Sequence, residues 1–254
     1  MYLLISKIIF AASIFLLTVI TGFIPLKIAK HNTRLFGLCD SFSSGIFLSA
    51  ALLHLLPEAV AKFNTIYSHE YPLAYLVCLV TYIILLIMER GASIYNSLHP
   101  ANNKVVMPIF LASLFIVHSV VEGAAIGANT TFLEAATIFF AVFAHKSSES
   151  FTLTVNLHRF GVSTKSIRKT IAFFSLMTPL GIFIASYMIE ASASRSGELL
   201  SGMLNAVTAG TFLYLGTEHL TEHLTKDKKS FEKIAEGISL IFGITLMALV
   251  AIWV

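Results

Sequence analysis

VVMPIFLASLFIVHSVVEGAAIGAN (105–129), followed by TTFLEAATIFFAVFAHKSSESFTLTVNL (130–157), is the stretch that decides the fold. Each half is an apolar run of the length that crosses a bilayer, which takes about 20 residues. Gly127 is placed to cap the first helix, and Thr131 with Glu134 forms a capping box that opens the second. The pair therefore reads as a tight antiparallel hairpin. Each half also carries one His-x-x-x-Glu: His118 with Glu122, and His145 with Glu149. A spacing of four puts both members of a pair on one helical face. The pairs lie nearly symmetrically about the turn at 131–134, so the hairpin brings them to one depth within about two turns.

The rest of the chain has the same character. It holds 254 residues with a mean hydropathy of +0.82, 56% hydrophobic and 12% charged. A soluble domain carries about 25% charged residues, and half that number cannot cover a globular surface. The reading is an integral membrane protein made of a single transmembrane domain, 1–254. Apolar runs between polar or Pro/Gly breaks give eight spans: about 3–26, 36–61, 72–90, 105–127, 132–157, 170–191, 198–223 and 231–254. Spans two, five and seven carry ionisable residues that depress their hydropathy. The longest connections, 91–104 and 158–169, are polar and rich in Gly, Pro or Asn. Residues 1–26 exceed a signal-peptide core and lack an A-x-A site, so they read as a span. Cys39 and Cys78 both lie in apolar runs, which excludes a disulfide framework and a CxxC metal site. The net charge of +3 resides in connecting lysines and arginines and implies no nucleic-acid partner.

Orientation follows from where the cations lie. The connections after spans one, three, five and seven hold Lys27, Lys30, Arg34, Arg90, Lys104, Arg159, Lys165, Arg168, Lys169, Lys226, Lys228, Lys229 and Lys233, which is 13 of the 17 basic residues. The opposite side holds Lys62 and Arg195, while Lys7 and Lys146 fall inside spans. Both termini are expected outside the cytosol.

Charge within a membrane is expensive and marks function. Two imidazoles and two carboxylates converging from adjacent helices form a ligand set for a borderline divalent ion such as Zn²⁺. The competing reading is a hydrogen-bonded network that only ties the helices together; two pairs on one hairpin favour the metal. Lys146 cannot ligate while charged and repels a second cation, so it takes the place of a second ion. The alternative for it is a lysine snorkelling to the interface. Smaller clusters close span two (His54, Glu58, at the outer mouth) and span seven (Glu218, His219, Glu222, His223, at the inner mouth). They suit attracting and releasing a cation, or are interfacial polarity. Glu89 and Glu190 read as solvated, and the 21 phenylalanines as lipid-facing and core filler. No HExxH, GxSxG or P-loop occurs, so zincin, serine-hydrolase and ATP-driven chemistry have no motif.

Five segments carry a family resemblance: SSGIFLSAALLHLLPEA (43–59), HSVVEGAAIGAN (118–129), AHKSSESFTL (144–153), TPLGI (178–182) and AGTFLYLGTEHL (209–220). They resemble the ZIP (Zrt-, Irt-like) metal transporters over essentially the whole chain. The resemblance implies an all-α integral membrane fold of eight transmembrane helices in an inverted 3+2+3 repeat, spans one to three against six to eight, both termini extracytosolic. It implies a primary site of His118, Glu122, His145 and Glu149. Members with two metals have Asn and an acid where this chain has Ser119 and Lys146, a departure shared with the branch that has HS..EG in span four and HK in span five. The prolines that commonly kink spans four and five are missing. Thr178, before Pro179, stands where some members place a carboxylate, and the connection 91–104 keeps only His99 of a His-rich loop.

The expected function is a secondary transporter that moves zinc, or Fe²⁺, Mn²⁺ or Cd²⁺, into the cytosol by alternating access between spans four and five. The ion is substrate, and no prosthetic group is expected. The resemblance also implies a homodimer, and a plasma or cell membrane as its place. The alternative is a zinc-dependent membrane hydrolase, which keeps an open coordination position beside a general base.

Overall fold

The computed structural model of the chain describes residues 2–31, 33–66, 71–98, 106–188, 195–225 and 230–252, and its regular elements are all helical. They are α1 (Tyr2–His31), α2 (Thr33–Ala50), a π-helical turn (Ala51–Leu55), α3 (Leu56–Ile66), α4 (Leu73–Leu98) and α5 (Val106–Ala128). There follow α6 (Phe132–Arg159), α7 (Thr164–Ser175), α8 (Met177–Tyr187), α9 (Arg195–Thr225) and α10 (Ser230–Val250). α2, the π turn and α3 form one continuous rod. α7 and α8 follow one another with only Leu176 between them.

Among the described residues, seven helices are long and apolar enough to cross a membrane: Tyr2–Ile28, Arg34–Thr65, Leu73–Gly91, Pro108–Ala128, Thr164–Tyr187, Glu198–Glu218 and Ser230–Val250. Spans two and seven meet that standard despite their ionisable residues. Span five does not. Its helix, α6, has 28 residues, enough for a bilayer at about 1.5 Å each, but carries Glu134, Lys146, Glu149 and a run of hydroxyls. The packing explains the exception: between His145 and Leu157 every residue except Ser147 is buried. The half of a helix that protein encloses needs no lipid-like surface, while the other half of α6 exposes Leu133 and Phe140. The peripheral helices have such a surface, with Ile5, Ile9, Leu16 and Ile20 exposed on α1, Leu79, Ile83 and Ile87 on α4, and Ile234, Ile238 and Ile241 on α10.

Helix pairing is close where glycines face each other. α5 packs on α8, and a Cβ at Gly123 would lie 2.1 Å from the Thr178 carbonyl oxygen, while one at Gly181 would lie 2.1 Å from that of Val120. α2 packs on α10 by the same device at Gly45 and Gly243. Small residues let backbones approach where lipid supplies no hydrophobic drive between helices. α1 packs on α6, and α4 on α9.

Two apolar clusters result. Phe47, Phe115, Phe174 and Phe212 belong to one; Phe10, Ile14, Ile126, Phe139 and Val142 to the other. α5 and α6 contribute to both, and their polar residues 118–122 and 145–149 lie between the two contributions.

Several boundaries differ from the sequence reading. α4 runs through Gly91 to Leu98, because one glycine costs a helix only about 1 kcal/mol. α7 starts at Thr164, since the Ser163 hydroxyl caps it by accepting from the Ser166 N–H. The Thr131 hydroxyl accepts from the Glu134 N–H, as the capping box requires at that end. Gly127 is not the cap of α5, which continues to Ala128. Its carbonyl accepts from Lys7 Nζ at 2.6 Å and from the Ser186 hydroxyl at 3.2 Å. That explains a lysine inside span one: a cation neutralises the negative end of α5. His99, Glu190 and the side chains of His219, Glu222 and His223 lie outside what the structure describes.

Candidate metal centre

All four predicted ligands are brought together and buried. His118, Glu122, His145 and Glu149 each offer one ligating atom, and these atoms lie within 4.8 Å of one another. His118 Nε2 is 2.8 Å from Glu122 Oε1 and 3.3 Å from Glu149 Oε1. His145 Nε2 meets Glu122 Oε1 in hydrogen-bonding contact and is 3.5 Å from Glu149 Oε1. Zn–N and Zn–O bonds of about 2.0–2.1 Å set tetrahedral ligand–ligand edges of about 3.3 Å. The two contacts of Glu149 Oε1, 3.3 and 3.5 Å, are close to that edge, and the Glu122 contacts are shorter.

Lys146 explains why only one oxygen of each carboxylate faces the imidazoles. Its ammonium donates to Glu122 Oε2, Glu149 Oε2 and the Ser119 hydroxyl, each at 2.7 Å. Three donors meet three acceptors, so the lysine is saturated. It is fully buried and its Nζ lies 4.9 Å from the centre of the Phe174 ring, which excludes the snorkelling alternative. The carboxylates are thereby split into an Oε1 edge toward the histidines and an Oε2 edge on the lysine. Two carboxylates and one ammonium leave the centre with one net negative charge, and a divalent ion reverses its sign. Lys146→Glu is expected to raise tightly bound zinc from about one ion per chain to about two, because it exchanges the repelling charge for a ligand. Metal analysis after gel filtration reads the ratio directly.

Phe212 is a contribution that sequence reasoning missed. Its ring meets His118 edge-on at a centroid distance of 5.2 Å and His145 at 5.9 Å. Neither Nδ1 has a protein partner, so on the side away from the carboxylates the imidazoles are held by packing, to which this ring contributes. The AGTFLY string held the residue, but nothing in the sequence distinguished it among 21 phenylalanines. Nor does Glu89 read as merely solvated: it is half-buried.

His54 lies deeper than a helix mouth. It is buried, with its ring 6.2 Å from that of His145. It sits in the π turn, where Leu56 N–H bonds back to the Ala51 carbonyl. Pro57 lacks the N–H that an α-helix needs there, and a π turn of this kind recurs at functional sites. One turn on, Glu58 pairs with Lys62 at 2.8 Å, and Lys62 donates to the Ser201 hydroxyl at 2.6 Å. Thr178 is buried on α8 with its hydroxyl unpartnered, and its carbonyl abuts Gly123 beside Glu122. Glu218 is half-buried on α9, apart from the four central residues.

A family model described as ZIP zinc transporter matches residues 4–108 and 96–251. Zinc transporter ZIP1 of Takifugu rubripes is 27% identical, with 97% of each chain covered. Zinc transporter ZIP3 of Homo sapiens is 22% identical over 97% of each. Zinc transporter 3 of Arabidopsis thaliana is 25% identical over 88% of this chain and 76% of its own. Five motif segments, a buried His/Glu centre and a match along nearly the whole length point one way: this chain belongs to the ZIP zinc transporter family.

Proposed function

We propose that this chain, a multi-pass membrane transporter of divalent metal ions, moves zinc into the cytosol by alternating access, with His118, Glu122, His145 and Glu149 holding the ion in transit. The observation that carries the reading is the convergence of those four groups, with ligating atoms within 4.8 Å of one another, in a buried centre. A hydrogen-bonded tie between helices would not need four ionisable groups and a lysine at one point.

An eight-span inverted repeat fits the packing. Exchanging spans one, two, three and four for six, seven, eight and five turns the α1–α6 contact into the α8–α5 contact, and the α2–α10 contact into the α9–α4 contact. All four pairs are present. Inverted repeats place substrate at their interface near the bilayer midplane, which is where the α5–α6 hairpin lies in this reading. With the positive-inside orientation, Glu58 and His54 form the outer approach and the α6 C-terminus faces the cytosol. A negative-inside potential favours cation entry by roughly 2.3 kcal/mol per charge per 100 mV. Plasma-membrane residence, a homodimer, and Fe²⁺, Mn²⁺ or Cd²⁺ as further substrates belong to the same proposal.

Uptake of radioactive zinc into proteoliposomes tests it, beside His145→Ala and with Fe²⁺, Mn²⁺ and Cd²⁺ as competitors. Uptake by the parent that is lost in a folded His145→Ala protein is the expected result, and the competitor ranking names the preferred ion. A folded parent that carries no zinc under either a potential or a pH gradient removes the reading.

A further inference from the structure

One face of α6 continues from the metal centre toward the helix C-terminus with a polar residue at each turn: Ser148, Thr152, Asn156 and Arg159. Ser148, Thr152 and Asn156 are at most 4% exposed. Their Oγ, Oγ1 and Nδ2 atoms have no protein hydrogen-bond partner.

Several other buried hydroxyls among the described residues are paired, although that of Thr178 is not. Ser150 and Thr154, on the face of α6 turned to α1, donate to the Thr18 carbonyl at 2.6 Å and the Gly22 carbonyl at 2.7 Å. Thr18, Ser44 and Ser119 bond carbonyls one turn back in their own helices. A stripe serving as interhelical glue would be paired in one of these ways. Buried polar groups without partners are costly and rare. Three of them in register beside an ion site suit the passage of a partly dehydrated cation and its water.

The stripe ends at an ion pair. Arg159 donates to Asp40 Oδ2 at 3.2 Å, joining the last residue of α6 to α2. The Asp40 side chain is wholly buried, whereas that of Arg159 is 27% exposed, so a surface guanidinium reaches in to an interior carboxylate. Phe36 and Phe151 close the same α2–α6 seam, with centroids 6.0 Å apart. The guanidinium places a positive charge across the end of the stripe, where it repels an arriving cation. From Glu149 to Arg159 the distance along the helix is about 15 Å.

We propose that Ser148, Thr152 and Asn156 line the lane by which the ion leaves the centre, and that the Arg159–Asp40 pair is its inner latch. While the pair is made, α2 and α6 are tied and the lane is blocked by charge. When α2 parts from α6 and Arg159 turns to solvent, the Asp40 carboxylate faces the lane and draws the divalent ion outward from the centre. This rests on the transport reading above.

The test uses the full chain with Cys39 and Cys78 replaced by Ser, carrying Thr152→Cys or Asn156→Cys. A membrane-impermeant maleimide is applied to the cytosolic face of inside-out vesicles. Each cysteine is examined with the pair intact, with Arg159→Gln, and with the exchanged pair Asp40→Arg/Arg159→Asp. Arg159→Gln is expected to speed labelling about tenfold, equivalent to about 1.4 kcal/mol of lost pairing. The exchanged pair is expected to return to near the parent rate, and saturating Zn²⁺ to slow labelling at position 152. Equal labelling with and without the pair, in a protein that still takes up zinc, overturns the latch alone. An exchanged pair that labels as fast as Arg159→Gln does the same. A Cys-free parent that takes up no zinc overturns the transport reading, and the release lane with it.

Discussion

Glu122→Ala is expected to lower zinc uptake by at least about a hundredfold, an effect of about 2.7 kcal/mol or more on the transit complex. None of the other three groups, His118, His145 and Glu149, makes as many short contacts. Its Oε1 meets both imidazoles and its Oε2 receives the Lys146 ammonium at 2.7 Å. Removing it takes away a proposed ligand and also leaves Lys146 with one carboxylate instead of two. The centre passes from one net negative charge to none, so it no longer offsets the cost of stripping water from a divalent ion. Breaking a buried charge pair by deleting one partner costs about 3–5 kcal/mol of stability, so lost uptake by itself would be ambiguous. Glu122→Gln resolves it. The amide keeps the volume and can still accept from Lys146, so this variant is expected to melt close to the parent while uptake stays lost. Radioactive zinc uptake and a melting curve on the same preparation read both quantities. A folded Glu122→Gln protein with parental uptake would mean that the carboxylate is not a ligand.

Gly123→Ala should destabilise the protein by about 3 kcal/mol or more, since overpacking against backbone has no flexible side chain to absorb it. The added Cβ would stand 2.1 Å from the Thr178 carbonyl oxygen and 2.9 Å from the Ile182 nitrogen. α5 and α8 must then separate by about an ångström. Contacts along the α5–α8 seam would loosen together, and Glu122 would move with its helix. A fall in melting temperature on the order of 10 °C follows for a chain of this size, with reduced uptake because ligand groups misplaced by an ångström bind poorly. Gly237→Ala is the control. Nothing lies within 4 Å of its added Cβ, and it lies inside α10, so it should stabilise by about 0.5–1 kcal/mol. Parental melting of Gly123→Ala would show that α5 and α8 do not meet as described.

The two variants act on different parts of the fold's logic. The i,i+4 pairs His118/Glu122 and His145/Glu149 were readable because helical period is a local property, and an apolar run of membrane-spanning length is local too. The turn at 131–134 was readable because Thr131 caps its own helix. Hence the hairpin, the meeting of the four groups and the family resemblance all stood in the sequence. Periodicity could not reveal the π turn, where Pro57 shifts the register and carries His54 toward His145.

What the sequence by itself determined, then, is an apolar helical membrane chain with two histidines and two carboxylates at one depth. Only the tertiary structure decided how each carboxylate divides its oxygens between the imidazoles and Lys146. The same holds for Phe212 packing edge-on against both imidazoles, Lys7 capping α5, and Arg159 reaching Asp40 across 119 residues. The reason is physical. A serine or threonine hydroxyl in a helix can always satisfy itself on the carbonyl one turn back, as Ser119 does. Whether it does so, or is left unpaired like Ser148 and Thr152, depends on which neighbouring helix closes over it. Local sequence fixes the period of a face, and packing against distant segments fixes what that face meets.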